Sequence, residues 1–136
     1  MGLVMIRKTL PALLLLAILC SFTFKNDFKG TWEYGGGIYN GKPEAAPKDY
    51  KLQRKYEEAT YHASLLEAGQ KPMVYEKGSY SLKQDTCLEM QTYSLQPSKV
   101  LNITIKYRYQ VKNDTLTFSG VLPNGTVVQE FWKKVK

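Results

Sequence analysis

The chain has 136 residues, with 19 Lys and Arg against 12 Asp and Glu, two cysteines and one histidine. That length holds one domain besides a targeting segment. One histidine and two cysteines are too few soft ligands for a tight zinc or haem site, and no metal or cofactor is expected. The positive excess is scattered, unlike the dense basic face of a nucleic-acid-binding domain.

The first 24 residues differ from all that follow. Arg7 and Lys8 precede an unbroken apolar run over 10–19, which ends on the small residues Cys20 and Ser21. A charged start, a short apolar centre and a small-residue exit form a secretory signal. Counted generously over 9–24 the stretch has 16 residues, whereas a membrane-spanning helix takes roughly 20. The segment 1–24 therefore reads as a removable signal, with an uncleaved anchor as the alternative. Cys20 suits lipidation as in bacterial lipoproteins, although Leu19 departs from the small residue usual before such a Cys; cleavage near Ser21 is the other reading. The expectation is an exported protein, periplasmic or associated with the outer envelope, with secretion as the alternative, that touches membrane only through its N-terminus if that is lipidated or uncleaved.

Residues 25–136 form the predicted domain: 112 residues with 17 Lys and Arg against 12 Asp and Glu. Cys87 is its sole thiol, so no intramolecular disulfide is available and packing alone must hold the core.

The domain reads as short β segments separated by turn chemistry. Residues 31–34 open the series, and a loop over 35–47 containing Gly35-Gly36-Gly37 follows as a candidate lid. Strands are predicted over 50–54 and 59–66. The second competes with a short helix, because Glu57, Glu58, Ala59, Leu65, Leu66 and Glu67 have helical propensity; strand is the preferred reading. Residues 73–82 and 87–93 form a hairpin with Gly78 as a bulge. The clearest segment is 101–111. Leu101, Ile103, Ile105, Tyr107, Tyr109 and Val111 alternate strictly with Asn102, Thr104, Lys106, Arg108 and Gln110. Alternate side chains of a strand point to opposite faces, so one face is buried and one is wet. Strands over 115–119 and 126–135 complete the set, joined by Leu122-Pro123-Asn124-Gly125. Eight strands with short connections predict an all-β fold, an up-and-down antiparallel barrel. At that number a sheet closes on itself and holds side chains or one small ligand.

Ordered motifs carry a family resemblance. Gly30-Thr31-Trp32 matches the G-x-W signature of lipocalins, and the chain resembles the short lipocalin-like domains exported by Gram-negative gut bacteria. Their further motifs stand here as Gly78-Ser79-Tyr80-Ser81-Leu82-Lys83-Gln84-Asp85-Thr86, Asp114-Thr115-Leu116-Thr117-Phe118-Ser119-Gly120 and Glu130-Phe131-Trp132-Lys133. The resemblance implies a lipocalin-like barrel closed at one end by Trp32. It also implies a basic residue over that ring, Lys133 or Lys134, with Lys133 taken as the closure residue. It implies no established activity.

Candidate site residues follow from strand parity. His62 shares a face with Thr60 and Ser64 and points outward, with no Ser-His-Asp or Cys-His arrangement around it. No enzyme is expected. Cys87 reads as a small buried apolar residue. Glu89 and Glu130 lie where either an inward anchor or a wet strand face is available, and a wet face is the commoner fate of such residues. Ligand pockets combine apolar walls with a few convergent polar groups, which Tyr61, Met73, Tyr75, Met90, Tyr107, Tyr109 and Phe118 supply in the predicted interior. The functional expectation is a monomeric, non-enzymatic binding protein for a small apolar or amphipathic molecule. A solid barrel acting as an envelope structural or interaction module is the alternative. No nucleic-acid partner is expected, because Tyr107, Arg108 and Tyr109 alternate faces.

Overall fold

In the computed structural model, residues 28–136 are described; the signal expected over 1–24, with Cys20, lies outside them. Nine strands run in chain order: β1 Gly30–Tyr39, β2 Lys42–Glu44, β3 Lys51–Tyr56, β4 Thr60–Leu66, β5 Met73–Lys83, β6 Thr86–Ser94, β7 Thr104–Lys112, β8 Thr115–Val121 and β9 Val127–Lys134. β2 pairs only with β1, and the other eight form a ring that β1 and β9 close. Around that ring each strand pairs antiparallel with its neighbours. The fold is a closed, eight-stranded, up-and-down antiparallel barrel, as the alternation predicts.

The segment around 56–67 is two strands. Glu57 to Ala59 form the turn between β3 and β4, so helical propensity gives way to pairing of Tyr56 with Tyr61 and of Lys55 with His62. Glu58 therefore sits in a turn, and its Oε1 lies 2.6 Å from the Lys29 Nζ.

Two expectations are corrected. The stretch 35–47 is not a loop lid. β1 runs on to Tyr39 and turns at Asn40 and Gly41, with φ of 49° and 81°, into β2. Positive φ at both central residues is the two-residue turn that matches the twist of paired strands. The glycine triplet marks a register shift in the β1–β9 pairing between Tyr34 and Gly37. The strand expected to start at residue 101 starts at Thr104. Asn102 has φ of 60°, and Leu101 bridges Gln91 in a parallel sense, so the chain turns before the ladder begins.

Strand register gives the barrel two ends. One carries Gly30, Tyr56 and Lys134, and there Phe28, Trp32, Tyr56, Tyr80 and Phe118 fill the interior. Phe28 sits 4.4 Å from Tyr56, 5.3 Å from Tyr80 and 5.4 Å from Phe118 between ring centroids, in edge-on and stacked contacts. The other end carries Tyr39, Val121, Val127 and the connections 67–72, 95–103 and 122–126. Residues 95–103 are the longest of these connections. Asn102 N–H donates to the Gln91 carbonyl at 2.7 Å, and the Ser98 hydroxyl donates to Gln91 Oε1.

Candidate functional site

The closed end is built on Trp32. Its Nε1 donates to the Phe28 carbonyl at 2.8 Å, and the Lys134 ammonium lies 4.7 Å from its ring centroid. Lys134 Nζ also donates to the Lys29 carbonyl at 2.9 Å. The cation over Trp32 is thus Lys134 and not Lys133. Alternate residues of a strand face opposite ways, and Lys133 lies on the exposed side of β9.

Above this plug a charged group sits inside the barrel. Arg54 on β3 has inward parity with Leu52 and Tyr56. Its Nη1 donates to Glu89 Oε1 at 2.9 Å and to the Tyr56 hydroxyl at 3.0 Å, and its Nη2 donates to Glu76 Oε2 at 3.3 Å. The Tyr61 hydroxyl donates to the same Glu76 oxygen at 2.6 Å. The guanidinium lies 5.1 Å from the ring centroids of both Tyr61 and Trp132, a double cation–π contact. Glu89 is 5% exposed, so it faces inward and not into solvent. Burial pushes its carboxyl above the ordinary range against the opposing pull of Arg54. Burial alone would lower the Arg54 pKa; Glu89, Tyr56 and Glu76 carry it upward instead. Arg54 Nε and Trp132 Nε1 are buried donors without a hydrogen-bond partner among the described residues.

A second polar chain lies along β1 and β9. The Tyr39 hydroxyl donates to Glu130 Oε2 at 2.7 Å, so the 2.7 Å contact between Tyr34 and Tyr39 has Tyr34 as donor. Burial raises both phenols.

A cavity of about 100 Å³ adjoins the Arg54 group. Arg54, Glu76, Glu89, Gln91, Tyr61 and Tyr107 give it polar and aromatic walls, while Val100, Ile105 and Leu122 add apolar ones. Val100 and Leu122 belong to connections at the open end, which places the cavity's apolar side there.

Of the seven predicted ligand residues, Tyr61 and Tyr107 line this cavity. Phe118 is core, 5.5 Å from the Tyr107 ring, and Tyr109 packs 5.1 Å from Phe28 in the plug. Tyr75 is half-buried beside the β4–β5 register shift, and burial raises its phenol. Two expectations fail. Met73 begins β5 at the rim and is 46% exposed. Met90 has parity opposite to Cys87 and Glu89, and borders a shallow outer groove with Leu88, Ser79 and Ser81. Arg54 and Glu76 were absent from the predicted set. Their signal was parity alone, Arg54 falling between Leu52 and Tyr56.

His62 stands half-buried between Lys55 and Lys77 on neighbouring strands. Cys87 is fully buried, and burial pushes its thiol upward, which suits an inert packing residue.

No family model matches the sequence, and no curated protein matches it. The fold is similar to the solved structure of an uncharacterized protein from Bacteroides eggerthii. The TM-score is 0.59 at 12% identity, over 80% of this chain and 100% of that one. At that identity the likeness concerns the fold alone.

Proposed function

We propose that this domain is an exported, non-enzymatic binding module whose open end takes the polar head of a small amphipathic molecule. The cavity beside Arg54 carries the reading: it has a charged, hydrogen-bonding wall and an apolar side at the mouth. Pockets that enclose a drug-sized ligand measure roughly 300–1,000 Å³, so about 100 Å³ admits a head group only. The apolar remainder would lie against Val100, Ile105 and Leu122.

Charge selects the head. One guanidinium faces two carboxylates, and both of its Nη atoms are already committed to them and to Tyr56. An anion entering here would meet Glu76 and Glu89 with no free charged partner. Arg54 Nε remains a buried donor in need of an acceptor. An uncharged head that both accepts and donates, a hydroxyl or an amide, fits best. Export rests on the signal over 1–24 and on the lipocalin-like resemblance.

A second reading has its own support. The aromatic ring contacts around Phe28, Tyr56 and Phe118 and the small cavity suit a solid barrel that works through its surface. A native mass spectrum of protein purified gently from its own envelope separates the two. Excess mass that disappears on denaturation, and falls in Tyr107→Phe while stability holds, is expected. A bare polypeptide mass across repeated preparations would overturn the ligand reading in favour of the solid barrel.

A further inference from the structure

We propose that the open end, together with the outer wall of β7–β9, docks on an anionic lipid surface. This contact is separate from any N-terminal anchor and does not depend on occupancy of the cavity.

Two observations meet at one place. At the open end, exposed apolar side chains follow one another from strand to strand: Met73, Leu95, Leu101, Ile103, Val121 and Val127, the last two 59% and 55% exposed. Most of the exposed large hydrophobics of the described residues gather at this end, whereas scattered ones are the normal condition of a surface. The adjoining wall is basic. Between residues 86 and 134 there are six Lys and Arg and three acids. Two of those acids, Glu89 and Glu130, turn into the barrel, where Arg54 and Tyr39 hold them. The third, Asp114, lies in the turn at the opposite end, 3.2 Å from Lys136. Inward placement of the carboxylates leaves Lys106 and Arg108 exposed on the wall nearest the open end, Arg108 3.5 Å from Asp85 of the β5–β6 turn, while Lys112 and Lys133 lie toward the plug end. A shallow groove of about 570 Å³ joins the two features, with Lys106 and Arg108 on one side and Val121 and Val127 on the other.

A lipid surface with anionic headgroups fits both halves. Apolar side chains enter the acyl boundary while lysine and arginine remain at headgroup level. A second copy of the chain fits poorly, because docking through this face would bring the same cations together. In the lipid-bound orientation the cavity's apolar side faces the membrane.

The ring and its core are complete within residues 28–136, so a chain beginning at Lys25 carries the whole barrel. Its co-sedimentation would be measured with phosphatidylcholine vesicles and with vesicles containing one third phosphatidylglycerol, at low and physiological salt. The expected result is binding to the anionic vesicles only, weakened by salt. Each cation at the interface contributes roughly fivefold in affinity, so Lys106→Glu with Arg108→Glu should weaken binding more than tenfold. Leu101→Ser with Ile103→Ser should abolish it, while both double variants keep the parent's cooperative unfolding. Equal sedimentation with both vesicle types, or unchanged binding in the charge variant, overturns the proposal. A concentration-dependent dimer that the Leu101 and Ile103 substitutions abolish overturns it in favour of a second copy.

Discussion

Arg54 on β3 and Glu89 on β6 meet across the barrel interior at 2.9 Å, although two strands separate them in the sheet. The pair ties opposite walls together at mid-height, between the aromatic plug around Phe28 and the open end. It places fixed charge where an apolar barrel would carry aliphatic packing. Burying such a pair has a desolvation cost that offsets most of its attraction, so its presence is weak ground for stability. Its geometry instead specifies how the two walls align, and it gives the cavity a polar wall.

Removing one partner exposes that cost. Arg54→Met leaves Glu89 and Glu76 facing each other in a buried site, and should lower stability by about 3–5 kcal/mol in urea denaturation. Arg54→Met with Glu89→Leu removes both charges and should recover most of the loss. An additive double variant would show that the two side chains do not act as a pair.

Glu89 also predicts a pH dependence of unusual sign. Its carboxyl is raised above the ordinary 4.5 by burial, so between 4.5 and the folded value the native state holds more protons than the unfolded chain. Its contribution to stability is fully present below 4.5 and is lost as pH rises through the folded value. The urea midpoint of the parent should therefore fall relative to that of Glu89→Gln as pH increases from 4.5. A difference independent of pH would mean that Glu89 titrates alike in both states.

The same site shows where local pattern stops informing. Strict alternation over 104–112 put Tyr107 and Tyr109 inward and Arg108 outward, as they stand. It ran on through Leu101 and Ile103, because alternation of residue type does not reveal that Asn102 turns the backbone. The glycine triplet read as loop because glycine weakens strands, yet pairing with β9 carries β1 through it with a register shift. Arg54 was hidden for another reason. A charge at an inward position reads as a break in the pattern, and its partner lies 35 residues away on a non-adjacent strand. Parity did place Glu89 on the face of Cys87, but only tertiary structure supplies the guanidinium that keeps it there.

Gly78 is a position where the ladder demands glycine. It sits at the β5–β6 register shift, and a Cβ there would strike the Met90 carbonyl and the Tyr61 ring. Met90 O is backbone and Tyr61 is fixed by Glu76 and Arg54, so neither yields easily. Gly78→Ala should cost about 1–3 kcal/mol, the range of overpacked cores. Because Tyr61 lines the cavity, the substitution should also alter ligand retention. Unchanged thermal unfolding would mean that the bulge relaxes at no cost.

Lys133 and Lys134 offer a paired test of how the barrel is closed. Lys134 covers Trp32 and donates to the Lys29 carbonyl, whereas Lys133 faces outward. A partly exposed cation–π contact contributes about 0.5–1 kcal/mol, and a hydrogen bond of this kind about as much again. Lys134→Ala should therefore lower the urea-derived stability by about 1–2 kcal/mol and raise the accessibility of Trp32 to a fluorescence quencher. Lys133→Ala should leave both measurements near the parent. Equal losses in the two variants would assign the effect to net charge, since both substitutions remove one cation from the same strand end.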